Sequence, residues 1–397
     1  MRKVKEVVLA EDVISFDYGE GGRFKLNHTA HYGFIRSLCS RGLTSSVKEL
    51  LEKRRGFKNF VQVGIGGSAL GASASLSFLK GSFFNLLEDR KYFALDNLDP
   101  ERLALVFSLD LDKTLFHVVS KSGNTTETLV QFFIIMEKAG LNRENFVITT
   151  SKGSFLDELG ERLGIERFYI PDEVVGRFSV FTPVGLLALG FFGFDIDAFV
   201  EGGKNGVRAY RNGWVFPNRF VDFALGSYEA GKELLVIFPY KDRLFGIGEW
   251  IRQLWAESLG KEGKGQTPVL ALGVKDQHSQ LQLYQEGKRD KAFVFMDMPS
   301  CCNFEVRNDY GAGLFDRIDA ARLMDIEKRS TKEALKSSGI PVCEVFIKEG
   351  GEFALGNLLI SFMIATAKAG EVLGVNPFDQ PGVELSKRFT REALKNA

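Results

Sequence analysis

The sequence predicts an α/β fold, a parallel sheet covered by helices on both faces, and three observations carry that expectation. From about residue 58, short apolar runs alternate with longer amphipathic stretches. A glycine-rich turn and a hydroxyl-rich turn directly follow two of those runs. The order of strand, turn, helix and strand then recurs after about residue 200. Strands separated by helices call for parallel pairing, because each crossover must cover a sheet face.

Phe60, Val61, Gln62 and Val63 form the first apolar run, followed by a glycine turn and a helix through Leu79. Residues 92–95 make a second strand, 115–119 a third, 145–149 a fourth and 167–170 a short fifth. The second unit holds a strand at 233–238, a helix at 244–258 and strands at 269–272 and 292–296. Beyond about residue 315 the pattern turns helical: 319–338 is amphipathic, 353–372 reads as a buried helix, and Pro377 opens a turn into another helix. No low-complexity linker separates the units, so they are expected to pack firmly together. The expected partition is an N-terminal segment at 1–40, a first domain at 41–195, a second at 196–315 and a C-terminal helical arm at 316–397.

With 51 Lys+Arg against 51 Asp+Glu, nothing points to a polyanion or an anionic membrane as partner, and any anion must be met by local groups. Cys39, Cys301, Cys302 and Cys343 show neither CxxC pairing nor metal-ligand spacing, so they read as buried or incidental thiols of a reducing compartment, and no metal site is expected. The basic start, residues 1–12, has too short an apolar stretch for a signal peptide, which points to a cytoplasmic protein. Residues 178–194 and 353–367 lack the roughly 20 apolar residues of a membrane span and read as core helices. In the first of them, Thr182-Pro183 looks like an N-cap followed by proline at the first helical position.

The densest chemical signal is Ser120-Lys121-Ser122-Gly123-Asn124-Thr125-Thr126-Glu127-Thr128, set between a strand and a helix. Such a turn aims backbone N–H groups, a helix dipole and several hydroxyls at one point, an arrangement suited to phosphate. The dipole contributes only about 0.3–2 kcal/mol, so the donors must supply most of the selectivity. The alternative is an over-decorated helix cap, for which a single hydroxyl would suffice.

Gly64-Ile65-Gly66-Gly67-Ser68-Ala69 matches a dinucleotide fingerprint with alanine in third place, and Asp96 lies where a ribose-binding acid would sit. A tight strand-to-helix turn explains the same glycines, and a dinucleotide has no use for the turn at Ser120. Gln253 and Glu257 share a helix face and could hold a polyol and move a proton, or simply form a solvated helix end. Of the four histidines, His117 sits in an apolar strand as a core residue, whereas His278 lies on a polar turn suited to proton chemistry. Arg177 beside the uncharged run needs a partner, and an anionic substrate would be one. Gln380 and Lys387, seven apart, would share one side of a continuous helix.

Together these segments resemble the glucose-6-phosphate isomerase (phosphoglucose isomerase) family, in the family's order from about residue 60 onward. The pieces are Gly64 to Ser68, Ser120 to Thr128, Gly176 to Ser179, Gln253 to Lys261, Asp276 to Gln280 and Phe378 to Lys387. The resemblance implies a sugar isomerase (SIS) fold, with two doubly wound parallel-sheet domains and a C-terminal helical arm, and a homodimer. It implies that Ser120, Lys121, Ser122 and Thr125 hold a sugar phosphate and that Gly67, Ser68, Gln253 and Gln380 hold the sugar. Glu257 would move a proton between C1 and C2, His278 and Lys387 would assist ring opening, and Arg177 would steady a cis-enediolate. His278 would reach the site from the neighbouring subunit. No cofactor is implied. Two departures stand out: Val175 replaces a family glycine, and the N-terminal region is shorter than in most members.

The implied activity is interconversion of glucose 6-phosphate and fructose 6-phosphate. A non-catalytic sugar-phosphate-binding protein of the same fold would lack Glu257, His278 and Lys387, and would usually accompany a DNA-binding helix pair. This chain keeps all three, with no basic recognition helix to suggest nucleic acid. A nicotinamide dehydrogenase resting on Gly64 to Ala69 is the third reading.

Overall fold

The computed structural model describes residues 10–18, 24, 26–28, 31–40, 42–140, 142–307, 311 and 313–395. Residues 1–9 of the basic start lie outside them. Among the described residues, ten strands form two sheets: β1 Ile14–Asp17, β2 Asn59–Val63, β3 Lys91–Leu95, β4 Thr114–Ser120, β5 Phe146–Thr150, β6 Glu166–Tyr169, β7 Leu234–Pro239, β8 Thr267–Leu270, β9 Lys291–Asp297 and β10 Val342–Ile347.

The first sheet has the order β3-β2-β4-β5-β6 and every pairing in it is parallel. The chain runs outward from β2 to β3, then resumes at β4 on the other side of β2. The strand order therefore reverses between β2 and β4, the crevice where doubly wound sheets bind ligands. Every residue of β2, β4 and β5 is buried, as expected for strands covered on both faces. His117 of β4 is fully buried, one ring nitrogen 2.7 Å from the Thr149 hydroxyl, and burial pushes its pKa down to about 3.

The second sheet has the order β1-β10-β9-β7-β8, with its reversal between β7 and β9. It departs from the all-parallel expectation at one edge, where β1 pairs antiparallel with β10. It also draws on chain that the sequence assigned elsewhere. β1 lies within the segment read as 1–40, and β10 within 316–397, the stretch expected to be a helical arm.

The helices meet the predicted bounds closely. Thr182 accepts a hydrogen bond from the Val184 amide and caps Pro183–Phe191, and Asp195 caps Ile196–Arg211. Glu352–Leu373 is the one helix among the described residues long and apolar enough to cross a membrane, but the structure buries 94% of its most apolar 18-residue window. It packs against Ile196–Arg211, Phe216–Glu229 and Asp242–Leu259. The large apolar cluster around it includes residues of both sheets, so the two units share one core.

Candidate active site

The crevice of the first sheet is shaped by two turns. After β2, Gln62 reaches up from the sheet and donates to the carbonyls of Ser68 (2.7 Å) and Val184 (3.1 Å), fixing the Gly67–Ser68 turn. A Cβ on Gly67 would lie 2.4 Å from the carbonyl carbon of Gly176 and 2.5 Å from the amide nitrogen of Arg177, so only glycine lets these two loops meet. Gly66 has φ +58, and a Cβ there would sit 2.8 Å from the Gln253 amide nitrogen.

After β4, the hydroxyls of Ser120 and Thr125 are 2.8 Å apart, and those of Ser120 and Ser122 accept from the amides of Thr125 and Asn124. Thr125 occupies the cap position of the helix Thr126–Ala139, yet no side chain caps that helix. The hydroxyls are thus not spent on capping, and the first helical N–H groups stay open to an outside acceptor. The Lys121 ammonium donates to the Asp172 carbonyl (2.9 Å), and partial burial, opposed by Asp172 and Glu173, lowers its pKa.

Glu257 comes from the second unit, near the end of the helix Asp242–Leu259, which packs against Leu70–Lys80 of the first. Gln253, one turn earlier, donates to its carboxylate at 3.1 Å, while the carbonyl oxygen of Gln253 is buried without a hydrogen-bond partner. On the other side stands Arg177, with a side chain 2% exposed. Its Nε donates to Ser258 Oγ (2.7 Å), Nη1 to Gln380 Oε1 (3.0 Å), and Nη2 to the carbonyls of Pro377 (2.6 Å) and Asp379 (3.0 Å). Nη1 also lies 3.7 Å from the Glu257 carboxylate. Burial lowers the Arg177 pKa against the opposing pull of Glu257 and Asp379. Val175 adopts ordinary extended backbone (φ −79°, ψ 156°), so its β-branch leaves the path to Arg177 undisturbed.

The structure thus brings Arg177, Gln253, Glu257 and Gln380 together and sets the Gly67 turn beside them. It does not bring in His278 or Lys387. His278 is exposed at the start of the helix Gln277–Glu286, in a turn pinned by its neighbours. The Gln277 side chain accepts from Tyr240 (2.9 Å) and Thr331 (3.0 Å). Lys387 is paired with Glu384 at 2.8 Å on the helix Glu384–Leu394, which buries none of its residues. Gln380 and Lys387 are not on one helix, since Gln380 lies outside helical geometry (φ −158°, ψ 61°) and a short 3₁₀ turn at Pro381–Val383 intervenes.

Sequence reasoning assigned no role to Ser258 and Lys261, although Gln253 to Lys261 was singled out. Their signal lay in position: a hydroxyl and a cation just beyond the carboxylate on the same helix end. The nicotinamide reading loses its second residue, because Asp96 pairs with Arg102. The described residues contain no cluster suited to a metal.

The phosphoglucose isomerase family model matches residues 35–288. A probable glucose-6-phosphate isomerase of Methanococcus maripaludis is 37% identical, over 87% of this chain and 81% of the relative. Among solved structures, a hypothetical protein from Thermus thermophilus superposes with a TM-score of 0.82 at 34% identity, covering 91% of this chain and 90% of that one. A glucose-6-phosphate isomerase from Chlamydia trachomatis gives 0.74 at 25% identity, covering 89% and 72%. The family model takes in the whole first sheet, β7, β8 and the helix that carries Glu257, and with this match the chain belongs to the phosphoglucose isomerase family.

Proposed function

We propose that this protein interconverts glucose 6-phosphate and fructose 6-phosphate through a cis-enediolate. The observation that carries the reading is the Glu257 carboxylate, held between a glutamine amide and a buried arginine and 26% exposed. One carboxylate that reaches both C1 and C2 can take the proton from one carbon and return it to the other. The negative charge that develops on the two oxygens meets the fixed Arg177 guanidinium. The buried, unpartnered oxygen of Gln253 would accept from a sugar hydroxyl.

Ser120, Ser122, Thr125 and the uncapped helix after them would hold the phosphate, with Lys121 released from the Asp172 carbonyl to add its charge. Gly67, Ser68, Gln253 and Gln380 would hold the sugar. The phosphate is remote from the reacting carbons, so its binding energy serves to orient them. His278 and Lys387 would act in ring opening, His278 from a second copy of the chain in a homodimer. Exposure of His278 on the single chain is what that arrangement requires. The enzyme would act in the cytoplasm, in sugar-phosphate metabolism, on these two esters without nucleic acid or membrane. A non-catalytic sugar-phosphate binder is not favoured, since it would leave the paired Gln253, Glu257 and Arg177 without a task.

The test is conversion of fructose 6-phosphate to glucose 6-phosphate with no metal or nucleotide added. Glu257→Gln is expected to lower kcat by about 10²–10⁴-fold while leaving phosphate-ester affinity nearly intact. Equal loss of both would make Glu257 a structural residue.

A further inference from the structure

The helix that carries Glu257 ends in a tight hairpin. The Lys261 amide donates to the Leu259 carbonyl and the Lys264 amide to the Lys261 carbonyl, each at 2.8 Å. Between them Glu262 has φ +53, the left-handed region that few residues other than glycine enter. This backbone turns both lysines toward the far end of the chain. Lys264 Nζ donates to the Leu373 carbonyl (3.0 Å), in the last turn of the central helix, where a cation is favoured. The Lys261 ammonium, with its side chain 9% exposed, donates to the Asn376 carbonyl and pairs with the Asp379 carboxylate at 2.8 Å.

The turn it grips, residues 376–380, is the one that surrounds Arg177. Asn376 ties the turn internally, donating to Asp379 (3.1 Å) and accepting from the Phe378 amide (3.0 Å). The carbonyls of Pro377 and Asp379 and the Gln380 side chain take three of the four hydrogen bonds that orient the guanidinium. On its apolar side the turn is seated by Phe378, whose ring is 5.3 Å from that of Phe178. The turn thus has two attachments: an aromatic one next to Arg177, and an ionic one to the helix of Glu257.

We propose that Lys261 is a positioning residue for the isomerisation: by holding Asp379 and the Asn376 carbonyl, it fixes turn 376–380 and so sets the Arg177 guanidinium against Glu257. The inference rests on the reading of Glu257, Arg177 and Gln380 given above. Lys261 touches neither substrate nor reacting atoms. Its ammonium couples the end of the helix that bears the base to the segment that aims the cation. Because Phe378 stays seated without it, removing the charge loosens the turn rather than unfolding it. The Asp379 carboxylate, held ionised by Lys261, is the complementary half of the pair.

The experiment is a steady-state comparison on the full chain with fructose 6-phosphate, alongside thermal melting. Lys261→Met is expected to lower kcat by about tenfold to a hundredfold, the cost of a misplacement on the order of 1 Å. KM should change far less, because Arg177 faces charge that develops only in the transition state. Lys261→Arg, which keeps the cation, should recover most of the rate. Asp379→Asn, at an exposed carboxylate, should reproduce the loss, and the double variant should be no worse than the worse single one. Near-normal kcat in both single variants, additive losses, or an activity loss that only follows the melting temperature would overturn the proposal. Wild-type turnover in Glu257→Gln would instead sink the underlying reading, whatever Lys261 does.

Discussion

The two sheets share a doubly wound order over four parallel strands and have opposite fates at their crevices. In the first, between β2 and β4, the carboxyl edge carries an uncapped helix, hydroxyls bonded within their own turn and a lysine turned to a backbone carbonyl. In the second, between β7 and β9, the edge is filled by its own charges. Asp297 at the end of β9 pairs with Lys328 at 2.5 Å and faces Lys241, just beyond β7, at 3.8 Å. Lys328 also reaches Glu344 at 2.8 Å, and Lys332 pairs with the same carboxylate. The comparison teaches that topology offers a crevice and side chains decide its use: one is left open for an anion, the other is closed by internal ion pairs.

The largest expected effect is on the closed crevice. Lys328→Met leaves the buried Asp297 carboxylate with only the more distant Lys241, and Glu344 with Lys332 alone, and is expected to destabilise the protein by up to about 3–5 kcal/mol in chemical denaturation. Substrate affinity of the folded fraction should hold. An affinity loss at unchanged stability would make the second crevice a binding site as well. Next comes the open crevice. Ser120→Ala is expected to raise KM for fructose 6-phosphate about tenfold to a hundredfold, the worth of one hydrogen bond to a charged group. A stability loss without a KM effect would return that turn to the role of an ordinary cap.

The sheets should also fail at different acidities. His117 in the first sheet is neutral when folded, and the unfolded chain binds its proton from about pH 6.5 downward. Stability therefore begins to fall as pH drops through about 6.5 and keeps falling toward pH 3, the loss reaching about 2 kcal/mol by pH 5. In the second sheet burial raises the Glu344 pKa, but hydrogen bonds from Lys328 and Lys332 outweigh it, and the net shift is downward. That stabilisation is present above the unfolded carboxylate range and is lost only as pH falls through the lowered value. Denaturation curves of His117→Gln should show less loss between pH 6.5 and 5 than the parent; identical curves would contradict the assignment. The smallest effect is expected at Asp96, whose exposed pairing with Arg102 makes Asp96→Asn worth at most about 1 kcal/mol, with unchanged kinetics. A marked kinetic change would place the end of β3 in the site.

What the sequence made legible follows from range. Eight of the ten strands were foreseen as apolar runs between turns; β1 and β10 were not. β1 is four residues long, only one of them buried, and its pairing depends on a partner more than 300 residues away. β10 alternates partly buried with buried positions and follows an 18-residue amphipathic helix, so it disappeared into a helical reading. The helix spacing of Gln253 and Glu257 was local and readable. That Arg177 would be held by carbonyls at 377 and 379 was not, because backbone acceptors leave no trace in residue type. His278 and Lys387 show the remaining limit, since a periodic pattern says which face a side chain takes but not what a second copy brings to it.

The central helix Glu352–Leu373, buried without a break from Ala354 to Gly370, has a consequence for biogenesis. It is translated after the strands of both sheets, and β10 emerges just ahead of it. A growing chain can therefore assemble either sheet only as an unfinished half, with greasy surfaces waiting for a plug not yet made. Ribosome-bound intermediates halted before residue 352 should be the species that chaperones hold longest, and a premature stop there would leave both halves without a shared interior.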